Sequence, residues 1–298
     1  QAEKTGKLPK VVIPVHLCGQ PCDMAAIHAL SQQYGFKIIE DASHAIGGKY
    51  RESSGPVIAK KPLAASKARQ EASRQSSLFE PIGNCCYSDI TVFSFHPVKI
   101  ITTGEGGMAM TNNAQLAKRM RSLRSHGITS DAADMSPRTA AEIWNYQQIG
   151  LGFNYRMTDI QAALGLSQMQ RLDEFVTKRH SIAQRYGELL ANTPVVTPVQ
   201  HADSYSSFHL YPIRLKLGDI NKTHRQVYEA LRAKGILVNL HYIPVYRQPY
   251  YEKMGFRKGC CPEAEKYYSE VISIPMYPGL TAVQQDQVVV AIREATSV

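Results

Sequence analysis

Residues 11–16, Val11-Val12-Ile13-Pro14-Val15-His16, form a mostly β-branched apolar run that reads as a buried strand. Gly19-Gln20-Pro21 turns the chain, and Asp23 can cap a helix to about Tyr34, where Met24, Ile27, His28, Leu30 and Ser31 fall near helical spacing and Gly35 supplies the stop. Residues 37–40 give a second short strand. Strand, helix and strand joined by short links make a βαβ unit, so these two strands should run parallel. Residues 91–95 and 107–111 read as further strands around a tight turn at 102–107. Asn112 or Asn113 caps a helix to about Leu123, and 130–138 reads as a loop. Thr158 with Gln161 is a capping box that opens a long helical stretch toward Asn192, ended by Gly187 and the Thr193-Pro194 pair. The pattern then repeats on a smaller scale. Strands are predicted at 208–215 and 236–240, a capped helix runs from Thr223 to Ala233, and further helices occupy 263–271 and 281–296.

This order of elements predicts an α/β chain with two domains, residues 1–172 and 173–298, and the boundary inside the long helical stretch. Residues 52–79 break the pattern. They are rich in Ala, Ser, Lys, Arg and Gln, and read as an inserted, mobile surface segment.

Composition narrows the class. The 298 residues are 44% hydrophobic and 20% charged, which excludes a disordered or collagen-like chain. Apolar runs such as Val288-Val289-Val290-Ala291-Ile292 fall far short of the roughly 20 residues of a membrane span. The formal charge of +9 would suit an anionic partner, but the basic residues are scattered and no nucleic-acid motif is present, so the charge reads as solvated surface. Cys18, Cys22, Cys85, Cys86, Cys260 and Cys261 contain no C-x-x-C pair. They read as reduced thiols of a cytoplasmic protein, and no metal site is expected. Residues 1–10 are polar and hold no apolar segment of the signal-peptide kind.

Candidate chemistry gathers where two strands end. Ligands of open parallel sheets bind beyond the carboxyl ends of the strands. Asp41-Ala42-Ser43-His44 follows one predicted strand, and His96-Pro97-Val98-Lys99 follows another that also carries Ser94. If those strands are neighbours, a carboxylate, an imidazole, a hydroxyl and an amine meet at one mouth. A lysine amine forms a Schiff base with an aldehyde once deprotonated. A carboxylate in a dry pocket needs a cationic or hydrogen-bonding partner, which a pyridinium N–H provides. Asp with Schiff-base Lys is the pairing expected for pyridoxal 5′-phosphate (PLP), and a Ser hydroxyl five residues before the lysine suits the phosphate. Taken singly, Asp41 reads as a strand-end turn residue, Lys99 as a surface lysine and His96 as a turn or packing residue, so the argument rests on the combination and its order. The glycine turn at 104–107 lacks the G-K-[ST] of a P-loop and reads as a bend.

Three segments resemble the DegT/DnrJ/EryC1/StrS family of nucleotide-sugar aminotransferases: residues 41–48; residues 91–99 with Thr103-Gly104-Glu105-Gly106-Gly107; and residues 151–161, Leu151-Gly152-Phe153-Asn154-Tyr155-Arg156 onward. Residues 241–246 and 248–251 are most similar to the pseudaminic-acid-pathway branch, whose acceptor is a UDP-linked 4-keto-6-deoxy sugar. The resemblance implies the PLP-dependent fold type I, with a mainly parallel central sheet and a smaller C-terminal α/β domain. By the same resemblance Lys99 matches the Schiff-base lysine and proton shuttle, Asp41 the partner of the pyridine nitrogen, His44 a residue beside the ring, and Ser94 a phosphate ligand. Asn154 matches a residue that reaches the neighbouring subunit's cofactor, which implies a homodimer with shared sites. Asn239, Leu240, His241 and Tyr242 match a substrate-contacting loop. L-Glutamate is the implied amino donor, and Lys rather than His at position 99 favours amino transfer over sugar dehydration. Family chains carry further residues ahead of the strand that matches 11–16, so the sequence is expected to lack its natural beginning. That and the 52–79 insertion raise an alternative, a catalytically silent relative acting as a sugar-nucleotide-binding or interaction module. A nucleic-acid binder, the third reading, would bind with strong salt dependence.

Overall fold

The computed structural model describes residues 2–51, 79–137 and 144–297. The predicted 52–79 insertion lies outside the described residues except for Phe79. The chain divides into two compact units: Gln1–His16 with Cys22–Ile46 and Glu52–Arg171, and Leu17–Pro21 with Gly47–Arg51 and Leu172–Val298.

The first unit carries a four-stranded sheet in the order Val11–Val12, Lys37–Asp41, Ile90–Ser94, Gly107–Met110. The first three strands are parallel and the last is antiparallel. The expected strand at 11–16 pairs regularly only at Val11 and Val12. Pro14 has no N–H to offer, and pairing resumes at Val15, which bridges Asp41. The crossover helix Met24–Tyr34 starts where the Asp23 carboxylate accepts the Ala26 N–H at 3.0 Å, and ends at Gly35, whose N–H reaches the Ser31 carbonyl. Asn113 caps the Ala114–Arg124 helix through two backbone N–H groups, and Thr158 and Gln161 form the capping box of the Asp159–Met169 helix.

The predicted long helix toward Asn192 is two helices. Asp159–Met169 ends in a turn closed by the Arg171 N–H on the Gln168 carbonyl, and Leu172–Leu190 follows. No Gly or Pro marks this break, and Gly187, read as part of a stop, lies inside the second helix.

In the second unit an antiparallel sheet runs in the order Val271–Ile274, Tyr211–Leu215, Val195–Val196. Helices Leu172–Leu190, His224–Ala233 and Ala282–Thr296 enclose one apolar core that includes Tyr186, Ile213, Leu231, Ile272 and Ile292. The last two helices start at the predicted capping boxes of Thr223 with Gln226 and Thr281 with Gln284. Two predictions fail here. Residues 236–240 form a single bridge, Asn239 with Ser273, instead of a strand. Val271, read as helical, begins a fully buried strand, because the β-branched run Val271-Ile272-Ser273-Ile274 pairs with Tyr211–Leu215 once the Pro262–Glu270 helix ends. No helix among the described residues is long and apolar enough to cross a membrane.

Candidate active site

The register places Asp41 opposite Val92, so the Lys37–Asp41 and Ile90–Ser94 strands finish side by side. Main-chain bonds fix that end. The Asp41 N–H donates to the Pro14 carbonyl at 2.9 Å, its carbonyl accepts from the His16 N–H at 3.0 Å, and the Ala42 N–H reaches the Val92 carbonyl at 2.8 Å. The half-buried Asp41 carboxylate accepts the Ser43 N–H at 3.0 Å. The chain then turns, with the Ala45 N–H on the Ala42 carbonyl, and buries His44.

On the adjoining strand Ser94 is half-buried, and its hydroxyl oxygen accepts the His96 N–H at 3.4 Å. A turn closed by the Lys99 N–H on the His96 carbonyl carries Lys99 back. The loop returns through the Thr103 N–H on the Phe95 carbonyl and the Phe95 N–H on the Gly106 carbonyl. Gly107 is required by close approach, since a Cβ there would lie 2.7 Å from the Phe93 carbonyl oxygen.

Burial holds the Lys99 ammonium below the ordinary lysine range, and the charge of Asp41 opposes that shift. The amine is partly desolvated, as a nucleophilic lysine requires. By contrast, burial pushes the Cys18 thiol up to about 12 and the Cys22 thiol up to about 11, so neither is a nucleophile near neutral pH.

Asn154 lies on an exposed loop of the same unit. The Phe153 N–H bonds the Leu123 carbonyl and the Tyr155 N–H the Arg124 carbonyl, which ties the loop to the end of the Ala114–Arg124 helix. The Asn154 side-chain oxygen accepts from Arg156 at 3.2 Å. At Gly127, with φ +69°, a Cβ would lie 2.0 Å from the Gly150 carbonyl oxygen, so only glycine permits this anchorage. Residues 239–242 belong to the second unit. There His241 Nδ1 lies 2.8 Å from the Ser273 hydroxyl and Asn239 pairs with the Ser273 backbone. Leu240 is half-buried and Tyr242 exposed.

The sequence reading missed a buried polar pair behind the sheet. His16 Nε2 lies 2.9 Å from a Glu40 carboxylate oxygen, and the two side chains are 0% and 1% exposed. The available signal was an ionisable residue at an inward position of each of two apolar strands.

The profile of the DegT/DnrJ/EryC1/StrS aminotransferase family matches residues 2–293. This chain belongs to that family. Spore coat polysaccharide biosynthesis protein SpsC of Bacillus subtilis is 33% identical over 288 residues, covering 96% of this chain and 66% of SpsC. Helicobacter pylori PseC, an aminotransferase involved in the biosynthesis of pseudoaminic acid, superposes with a TM-score of 0.77 at 25% identity over 96% of this chain and 67% of PseC. Spr1654 from Streptococcus pneumoniae, in its PLP-form, gives a TM-score of 0.77 at 25% identity over 96% of this chain and 68% of Spr1654. The chain thus spans about two thirds of the length of these relatives. The α/β architecture with a mixed, mostly parallel sheet is the one expected for the family.

Proposed function

We propose that this chain carries the cofactor site of a PLP-dependent sugar aminotransferase that moves an amino group from L-glutamate to a UDP-linked 4-keto-6-deoxy sugar. The observation that carries the reading is that the strand closing at Asp41 lies beside the strand whose following turn carries Lys99, an amine that burial partly desolvates.

The donor set fits the cofactor. A carboxylate at the close of the central strand suits a pyridine N–H, a buried imidazole at His44 suits the ring's side, and the Ser94 hydroxyl can donate to a phosphate. When bound, PLP supplies the aldehyde carbon that exchanges amino groups and a ring that accepts electrons. The protein supplies the rest. Asp41 would hold the proton on the ring nitrogen. Lys99 Nζ would hold the cofactor at its aldehyde carbon and, when free, would take a proton from the donor carbon and return one to the acceptor carbon. Depression of its pKa by burial moves Lys99 toward the working pH such a shuttle needs.

Asn154 is assigned to the cofactor phosphate of a second copy, giving a homodimer with shared sites. Its surroundings support that role: Leu151 is 90% exposed, Ile160 85% and Leu166 70%, an apolar display that a monomer rarely leaves uncovered. Residues 239–242 are assigned to the sugar nucleotide, and the setting to the cytoplasm.

The test is a panel of UDP-, dTDP- and GDP-linked keto sugars incubated with PLP, L-glutamate and the protein, followed by mass spectrometry. The expected product is the amino sugar from the UDP-linked 4-keto-6-deoxy acceptor. Cofactor binding without transfer to any acceptor would instead favour a silent binding module.

A further inference from the structure

Side chains alternate across the Lys37–Asp41 strand, so Glu40 and Asp41 leave it on opposite faces. Asp41 takes the strand-end position described above. Glu40 enters the buried layer behind the sheet, where its carboxylate is met by donors from separate stretches of chain. One oxygen lies 2.9 Å from His16 Nε2. The other accepts from the Thr91 hydroxyl at 3.1 Å and from the Ser88 hydroxyl. His16 Nδ1 accepts the Cys22 N–H at 3.1 Å, which leaves the ring proton on Nε2, aimed at Glu40.

His16 therefore grips this strand at two points. Its backbone N–H holds the Asp41 carbonyl, and its imidazole holds the Glu40 carboxylate one residue earlier. Thr91 does the corresponding work from the other flank, since it pairs with Glu40 in the sheet register and bonds the Glu40 side chain. Two attachments on successive residues fix the rotation of a strand about its own axis, and that rotation sets the aim of the Asp41 side chain. Stability alone does not account for such a pair, because apolar residues of similar volume often serve a buried layer as well or better.

We propose that Glu40 and His16 are positioning residues for Asp41, holding its carboxylate in line for the cofactor's ring nitrogen. The proposal rests on the reading of Asp41 given above. Displacement of a catalytic group by about 1 Å can lower a rate on the order of a hundredfold, so a loosened grip should register clearly.

The test compares Glu40→Gln, His16→Leu and His16→Gln with the parent and with Asp41→Asn. Gln at position 16 retains a donor, whereas Leu removes it at similar volume. Amide hydrogen exchange of the cofactor-free proteins is read over residues 38–42, with the Ala114–Arg124 helix as internal control. PLP is then added, and the pH dependence of the visible spectrum and the rate of the half-reaction with L-glutamate are measured. The expected result is faster exchange confined to residues 38–42, a spectral titration displaced in the direction of Asp41→Asn, and a rate reduced about tenfold to a hundredfold in His16→Leu and Glu40→Gln. His16→Gln should recover most of each. Should His16→Leu fail to fold, the near-isosteric Glu40→Gln carries the comparison. If Asp41→Asn changes the spectrum while folded Glu40→Gln matches the parent in exchange, spectrum and rate, the positioning proposal is overturned alone. An Asp41→Asn spectrum identical to the parent's would overturn the underlying reading of Asp41.

Discussion

In the second unit Tyr186, Ile213, Val227, Leu231, Ile272 and Ile292 are all 0% exposed and belong to a single apolar cluster. In the first unit the buried set includes His16, Glu40, His44, Thr91 and Thr103, while Ile13, Val98, Leu151, Ile160 and Leu166 are more than half exposed. The second unit also buries polar side chains, Arg179, His209 and Gln285 among them, and also exposes Val199, Leu237 and Val283, so what sets it apart is its single apolar cluster. The second unit draws its stability from apolar area removed from water, and the caps at Thr223 and Thr281 only tidy its helix ends. The first unit must hold polar groups at the mouth of a sheet, and each buried polar atom there needs a partner. Under the proposed homodimer, exposed Ile160 and Leu166 would face a second copy of the chain.

The comparison breaks most visibly under core truncation. Leu231→Ala should lower stability by about 2–5 kcal/mol, whereas Leu166→Ala on the first unit should change it by no more than about 0.5 kcal/mol in dilute protein. Chemical denaturation of the two variants checks this, and equal losses would dissolve the distinction. Self-association sharpens the same point from the other side. Ile160→Asp with Leu166→Asp should shift the protein toward monomer in sedimentation velocity and leave the secondary structure by circular dichroism intact. A subtler contrast lies in Lys99. Its amine is depressed by burial and raised again by Asp41, so an amine reagent should reach half-maximal labelling of Lys99 at lower pH than for a free lysine amine. Asp41→Asn removes the raising influence, and the midpoint should fall further. A midpoint that rises in Asp41→Asn would show that the two groups do not interact as described. Loss of one helix cap is the smallest expected effect: Thr281→Ala should cost about 1 kcal/mol, seen as a modest drop in the thermal midpoint.

Much of the local structure was legible because capping is a short-range code. Asp23, Asn113, Thr158, Thr223 and Thr281 each mark a helix start that the structure contains. The parallel pairing of the first two strands followed from the short links around the intervening helix. What escaped depended on distant partners. The break after Met169 has no Gly or Pro, and Val271 turns from helix to strand only because Tyr211–Leu215 lies beside it. Residues 236–240 have strand composition but gain only one bridge. At the site, the meeting of the two polar clusters was conditional on the strands before residues 41 and 99 being neighbours, and the register makes those strands adjacent. The His16–Glu40 pair was missed because its members lie 24 residues apart and nothing local to either one names the other. The clasp of the Asn154 loop on the 123–127 turn was likewise hidden, since nothing near Asn154 names its partner.

The central claim is that Lys99 is the lysine that takes the cofactor. Incubating the protein with PLP, reducing with borohydride and mapping the peptides by mass spectrometry tests it directly. The account predicts a phosphopyridoxyl group on the peptide containing Lys99, lost when L-glutamate is added before reduction and absent in Lys99→Ala. Stoichiometric labelling of a different lysine, or labelling that persists in Lys99→Ala, would contradict it.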